Sequence, residues 1–247
     1  MDSGNPAAAL RVPWHPGEFC RLEVIQGAEG EVAAIWEMQA DLGGESSWLL
    51  RSGVTTEGVS PSPGQEGGTV FEEWCTVETD ALTLLPRRVH YRRRHGARQV
   101  TYTAVYAEEK VRIEADLRGT AGGGRAATAE IVLPPPPYFD NEQFVPVLRA
   151  LPLSEGFQAT ISTIITKSGS KIPVTVEVSG KEQLTVPAGT YQCWVVELKG
   201  MGQKAWVACE PPHEPVRFTN EDAKTDSRLT LYHPGDGGCR TCGPPGP

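Results

Sequence analysis

Short stretches in which every second residue is apolar, set apart by glycine and proline, constrain this chain more than any other feature. In Phe19-Cys20-Arg21-Leu22-Glu23-Val24, Cys20, Leu22 and Val24 fall on one face and Phe19, Arg21 and Glu23 on the other. A period of two belongs to a half-buried strand. The same count puts Val32, Ala34, Trp36 and Met38 on one face of 30–40, and Val111, Ile113 and Ala115 on one face of 110–117. The 247 residues include 27 Gly and 21 Pro, many of them between such runs. That punctuation describes many short strands joined by turns.

Further strands are predicted at 46–52, at 69–79 with Phe71, Trp74 and Val77 as apolar markers, and in a hairpin pairing 88–94 with 99–107. After Gly156 they recur at 157–166, 172–178, 183–186, 192–198, 205–208, 215–219 and 227–232, with turns at Gly180, Pro187-Ala188-Gly189 and Gly200. Residues 53–68 read as a loop and 119–124 as a flexible tip. One short helix fits 144–151 (FVPVLRAL), with Asn141 placed to cap it and Pro146 in its first turns. Pro134–Pro137 has no backbone donors and cannot join a ladder, so it connects two halves of the structure. No βαβ alternation appears. The expected fold is mainly β: a large twisted antiparallel sheet curled into an open or closed barrel around one short helix. Residues 1–12 are expected to be a flexible arm, 13–233 a single β domain with two halves joined at 134–137, and 234–247 a disordered Gly/Pro/Cys tail.

The net charge of −8 argues against nucleic acid as a partner. No run of 18 apolar residues is present, so no transmembrane helix is expected. Residues 1–12 lack a basic n-region and an apolar h-region, which places the protein in the cytoplasm if the chain is complete. Cys239 and Cys242 form a lone CxxC without the second pair a structural zinc site uses. The five histidines show no metal-binding spacing, and neither a Gly-x-Ser-x-Gly elbow nor a phosphate loop occurs. Neither metal nor cofactor is expected.

Four segments carry a family resemblance. They are PWHPGEFCRLEVIQG, CTVETDALTLLPRRVHY with Asp80 and Pro86, YFDNEQFVPVLRALPLSEGF, and VEVSGKEQLTVPAGTYQCWVVEL. In this order, over residues 13 to 231, the chain resembles the bacterial domain-of-unknown-function family 3108. The resemblance implies an exported, mostly antiparallel β protein of the cell envelope or periplasm. It also implies a likeness to open half-barrel lipoprotein carriers, which hold acyl chains against a concave sheet.

Tyr138, Asp140, Asn141 and Arg149 are the candidate ligand-binding residues. Asn141 and Arg149 lie eight residues apart, about two helical turns, and so can share a face. A carboxylate beside a guanidinium can orient a polar head. The competing reading is structural: Asn141 caps the helix and Asp140 pairs with Arg149 to lock it on the sheet. Cys193 reads as a buried, inert thiol, and Pro187–Thr190 as a tight turn. The basic cluster Arg87–Arg98 with Tyr91, Tyr102 and Tyr106 suits RNA or anionic lipid, or else a solvated face with Glu108, Glu109 and other acids as counter-charges. The expected function is non-catalytic binding of a lipid or other apolar or amphipathic small molecule in the concave sheet. The alternatives are an enzyme built around Asp140, Asn141 and Arg149, and an envelope scaffold that uses a sheet edge.

Overall fold

The computed structural model describes residues 10–27, 30–59, 70–119 and 124–236. Its first strands are β1 (Glu18–Gln26), β2 (Glu31–Gly44), β3 (Ser47–Thr55) and β4 (Phe71–Asp80). They are followed by β5 (Pro86–His95), β6 (Arg98–Tyr106), β7 (Lys110–Arg118) and β8 (Arg125–Val132). A short β9 (Tyr138–Asp140) leads through a 3₁₀ turn, Asn141–Gln143, into helix α1 (Phe144–Ala150). The second half holds β10 (Gln158–Ile165), β11 (Ser170–Val186), β12 (Gly189–Lys199), β13 (Gln203–Ala208), β14 (Pro215–Asn220) and β15 (Thr225–Pro234).

All fifteen strands join one sheet in the order β8-β7-β6-β5-β4-β3-β2-β1-β15-β14-β13-β12-β11-β10-β9. Every pairing is antiparallel except β9–β10, which is parallel. The order is a meander in which first and last strands pair, Glu18 opposite Pro234. It stops at two edges, β8 and β9, and the proline segment 134–137 runs from one to the other. The chain thus places its donor-free residues where the ladder is interrupted.

The interior follows from the alternation. Val77, Val89, Ile161, Val174 and Val196 are fully or nearly fully buried. Phe144, Val147, Leu148 and Ala150 of α1 join them in one core, while Val145 faces a second cluster with Cys20, Leu22, Met38 and Leu229. Each such aliphatic side chain contributes about 1.5–3 kcal/mol on burial. The helix is therefore the filling of the barrel, and the sheet wraps round it as the sequence predicts.

Several local expectations differ from what forms. Gly180 is not a turn: β11 runs through it, with a register shift against β12 at Val178/Gly180. A glycine inside a strand commonly marks such a bulge. The strand β8 has no counterpart among the predicted strands, because Arg-Ala-Ala-Thr-Ala shows no alternation and six of the strand's first seven residues are exposed. Trp74 is an outer-face residue, 38% exposed. Its ring lies over Gly53, where an added Cβ would come within 2.1 Å of it. Of the segment 1–12, residues 10–12 are described: Arg11 N donates to Ala150 O, and Leu10 and Val12 pack on the core. The rest of the expected arm, the tail from 237 on with its CxxC, and most of the 119–124 tip lie outside the described residues.

The two ends of the sheet-forming chain meet at the Pro16–Glu18 turn. Asp236 N donates to Pro16 O, and Gly235 has φ +77 with an added Cβ only 2.4 Å from Pro16 O and 2.8 Å from Glu18 N. We predict that Gly235→Ala costs about 2 kcal/mol in urea unfolding, through backbone strain and a displaced turn.

Candidate functional site

Two buried polar networks hold the helix in place. In the first, Arg149 Nη1 and Nη2 donate to the two carboxylate oxygens of Glu18 at 2.6 and 3.1 Å. Arg149 Nε donates to His213 O and Nη2 to Pro212 O, at 2.8 and 2.9 Å. Tyr232 Oη donates to Glu18 at 2.8 Å, and the guanidinium stands 5.6 Å from the Trp14 ring centroid. Arg149 is 5% exposed and Glu18 2%. Burial alone would lower the Arg149 pKa, but the Glu18 carboxylate beside it more than offsets that and keeps the guanidinium charged.

The second network surrounds Asp140, which is completely buried. It accepts from Tyr106 Oη at 2.5 Å and, as the cap of the 3₁₀ turn, from Glu142 N at 2.9 Å. Desolvation pushes its carboxyl up to about 7, against the opposing effect of those hydrogen bonds. Tyr106 stacks on Tyr138, and Tyr102 stacks on Tyr91 and accepts from Thr166 Oγ1 at 3.2 Å. Next to it, Lys167 reaches Glu73 at 2.6 Å and Glu142 at 3.1 Å, with its ammonium 4.5 Å from the Tyr91 ring centroid.

Between α1 and the sheet a half-open cleft of about 180 Å³ remains. Its apolar wall is Trp36 and Met38 of β2, Leu50 and Val54 of β3, Phe144 and Val145 of α1, and Phe218 of β14. Polar groups sit beside it: Arg51, Ser52, Glu73, Asn141, Glu142 and Gln203. Trp36 Nε1 donates to Ser52 Oγ at 2.8 Å, and Arg51 is paired with Asp41. An inner cavity of about 20 Å³, sharing Met38, Leu50, Arg51, Val145 and Pro146 with the cleft, is bordered by Trp14, Glu18 and Arg149.

The four sequence candidates therefore part company. Asn141 lines the cleft, and Arg149 borders the inner cavity with its guanidinium held by Glu18. Tyr138 and Asp140 are buried on β9, neither lining the cleft nor bordering the inner cavity. The expected Asp140–Arg149 pair does not form, and each residue has its own partner. Asn141 does not cap α1, whose N-cap position is Gln143 without a side-chain hydrogen bond, while Asp140 caps the preceding 3₁₀ turn. Sequence reasoning missed Glu18 as the partner of Arg149, although it stands in the Pro-Gly-Glu opening. It also missed Lys167, Glu73 and Glu142, which no spacing relates. Most of the basic cluster lies on the opposite face of β5 from the tyrosines, since Val89 and Tyr91 point inward while Arg88, Arg92 and Arg94 point outward; Arg93 is on the Tyr91 face. The solvated-face reading holds for these arginines, with acids other than Glu108 and Glu109 as the counter-charges: Glu72 for Arg92 and Arg94 and Asp80 for Arg87. Cys193 is buried, and desolvation pushes its thiol up to about 12, so it carries no thiolate at neutral pH.

Two outcomes follow from these networks. Arg149→Met leaves Glu18 buried without its partner and should cost about 3–5 kcal/mol in chemical denaturation, part of which Glu18→Gln in the same chain restores. Asp140 binds its proton more tightly folded than unfolded, so its contribution to stability is complete below about pH 4 and is lost as pH rises through about 7. We predict that Asp140→Asn flattens the fall in unfolding free energy between pH 4 and 8, by up to about 4 kcal/mol. An unchanged pH profile would show that the Asp140 carboxyl titrates normally.

No group of His, Cys, Asp or Glu able to hold a metal ion occurs among the described residues. No helix among them is long and apolar enough to cross a membrane. None of the curated proteins matches the sequence. Among solved structures, the chain is similar to the beta-barrel-like protein of domain of unknown function DUF1849 from Brucella abortus. That superposition has a TM-score of 0.53 at 11% identity and covers 90% of this chain and 96% of that one, which speaks for a common fold alone. A protein with a YmcC-like fold from Bacteroides fragilis aligns at TM-score 0.35 and 10% identity, over 91% of this chain and 99% of that one, too loosely to bear on the fold. The family described as protein of unknown function (DUF3108) matches residues 72–230, well over half the sequence. By that match the chain belongs to the DUF3108 family.

Proposed function

We propose that this protein is a non-catalytic binding module that takes a small amphipathic molecule into the cleft between α1 and strands β2 and β3. The supporting observation is the cleft itself: about 180 Å³, walled by aromatic and aliphatic side chains, with charged groups gathered beside Glu73 and Glu142. An engineered apolar cavity of roughly 150 Å³ admits benzene, whereas drug-sized ligands occupy roughly 300–1,000 Å³. The cleft therefore suits a ring or a short alkyl chain with one polar end. A whole acyl chain laid along the concave sheet is a poorer match, since α1 occupies that space. The enzyme reading has less support, because Asp140 lies off the cleft and Arg149 is held by four hydrogen bonds to Glu18, His213 O and Pro212 O. An envelope or periplasmic setting goes with this reading as the expectation attached to the family resemblance.

Hexanol is a suitable neutral probe. We expect calorimetric titration to give saturable binding, and Val54→Trp, which fills the cleft from β3, to abolish it while the far-UV spectrum is retained. Absence of binding to the unaltered protein, or binding undiminished by Val54→Trp, would overturn the reading.

A further inference from the structure

We propose that the cleft is selective for amphiphiles bearing a primary ammonium group, a step that rests on the binding role proposed above. Arg51, the cation among the described lining residues, is committed to Asp41 at 2.5 Å, and Lys167 next to the cleft is committed to Glu73 and Glu142. Among the described lining residues an anionic head group would meet no free cation and two carboxylates. Glu73 and Glu142, by contrast, both line the cleft and share the single ammonium of Lys167. Lys167 and Asn141 both address Oε1 of Glu142, so its second oxygen is the acceptor on offer to a guest. Glu142 is only 11% exposed, and a charge-assisted hydrogen bond formed in so dry a place is roughly twice as strong as a neutral one. Arg93, the cross-strand neighbour of Glu73, makes no ion pair among the described residues and does not line the cleft.

The protein's own Lys167 demonstrates the geometry: an alkylammonium held between two carboxylates, with its cationic end 4.5 Å from an aromatic centroid. A guest amine would sit beside Lys167 rather than replace it, its alkyl chain running inward along Met38, Leu50 and Val145. A buried donor without a partner also borders the smaller cavity beside the cleft. Trp14, 3% exposed, borders the inner cavity, and its Nε1 has no acceptor within the protein. A short chain ending in a hydroxyl or carbonyl would bring an acceptor towards that donor.

Three probes of equal chain length separate the alternatives: hexylammonium, hexanol and hexanoate, titrated at pH 7 into the full chain. Hexylammonium should bind at least tenfold more tightly than hexanol, and hexanoate more weakly than both. Glu142→Gln should remove most of the amine preference, read as the ratio of hexylammonium to hexanol affinity in the same variant, with Glu73→Gln as the second variant should the first fail to fold. Hexylammonium binding no better than hexanol, or a preference that survives both variants, overturns the ammonium proposal while the cleft remains a binding site. Amine binding that persists in Val54→Trp overturns it too, by placing the amine elsewhere. If none of the three probes binds, the binding role itself fails and the ammonium proposal with it.

Discussion

A charged pair sealed inside a β structure governs how the rest is arranged. Glu18 lies where β1 begins, and Arg149 lies 131 residues later in the last turn of α1. Bringing two charges out of water costs several kcal/mol each and is repaid only when every remaining hydrogen-bonding site is filled. Here the filling comes from four places: Tyr232 on β15, the carbonyls of Pro212 and His213 before β14, and the ring of Trp14. The pair therefore fixes the helix against the β1–β15 junction, where the two halves of the sequence are stitched together. A helix of seven residues has no stability of its own. Its position depends on this anchor at one end and on the Asp140 cap at the other.

With the helix so fixed, side chains link the β9–β11 end of the sheet to strands of the other end, although β8 and β9 share no ladder. Thr166 reaches Tyr102, Tyr106 reaches Asp140, Lys167 reaches Glu73, and Lys171 Nζ donates to Val132 O at 3.0 Å. Most of these contacts join the β10–β11 hairpin to β4, β6 and β8. The same residue, Lys167, neutralises Glu73 and Glu142, which line the cleft. A link between two parts of the sheet and the polarity of the cleft thus share one cation.

Much of this architecture was readable in the sequence, and the unreadable part has a physical cause. Alternation exposed the strands wherever one face is buried, as in Cys20/Leu22 and Val111/Ile113. The proline segment marked the interruption between halves, and the short helix was visible in Phe144–Leu151. β8 escaped because an exposed edge strand has no buried face to impose a period. Gly180 was misread because a bulge and a turn use the same residue. The site was less legible. Arg149 stood out by type, but its partner is set by a fold that brings positions 18 and 149 together, and nothing local to either encodes that. The Lys167–Glu73–Glu142 group joins three elements distant in sequence. Asp140 was singled out as a ligand residue, yet its surroundings hold it as a desolvated carboxyl that caps the 3₁₀ turn and accepts from Tyr106 Oη.

The order of the strands has one more implication. Along the sheet from β9 to β15, then β1 to β8, each strand follows its spatial neighbour in sequence except at a single junction, β15 to β1. There Glu18 and Pro234 are cross-strand partners, so a short bridge between the two would span the gap. A chain opened at 134–137 and joined between those residues would have every ladder formed by consecutive strands, all of them antiparallel except β9–β10, which α1 connects. Apart from that one crossover, loop closure would then never require more than one strand-to-strand connection at a time. The natural connectivity instead makes the β1–β15 ladder wait for nearly the whole polypeptide, and the Glu18–Arg149 anchor waits beside it.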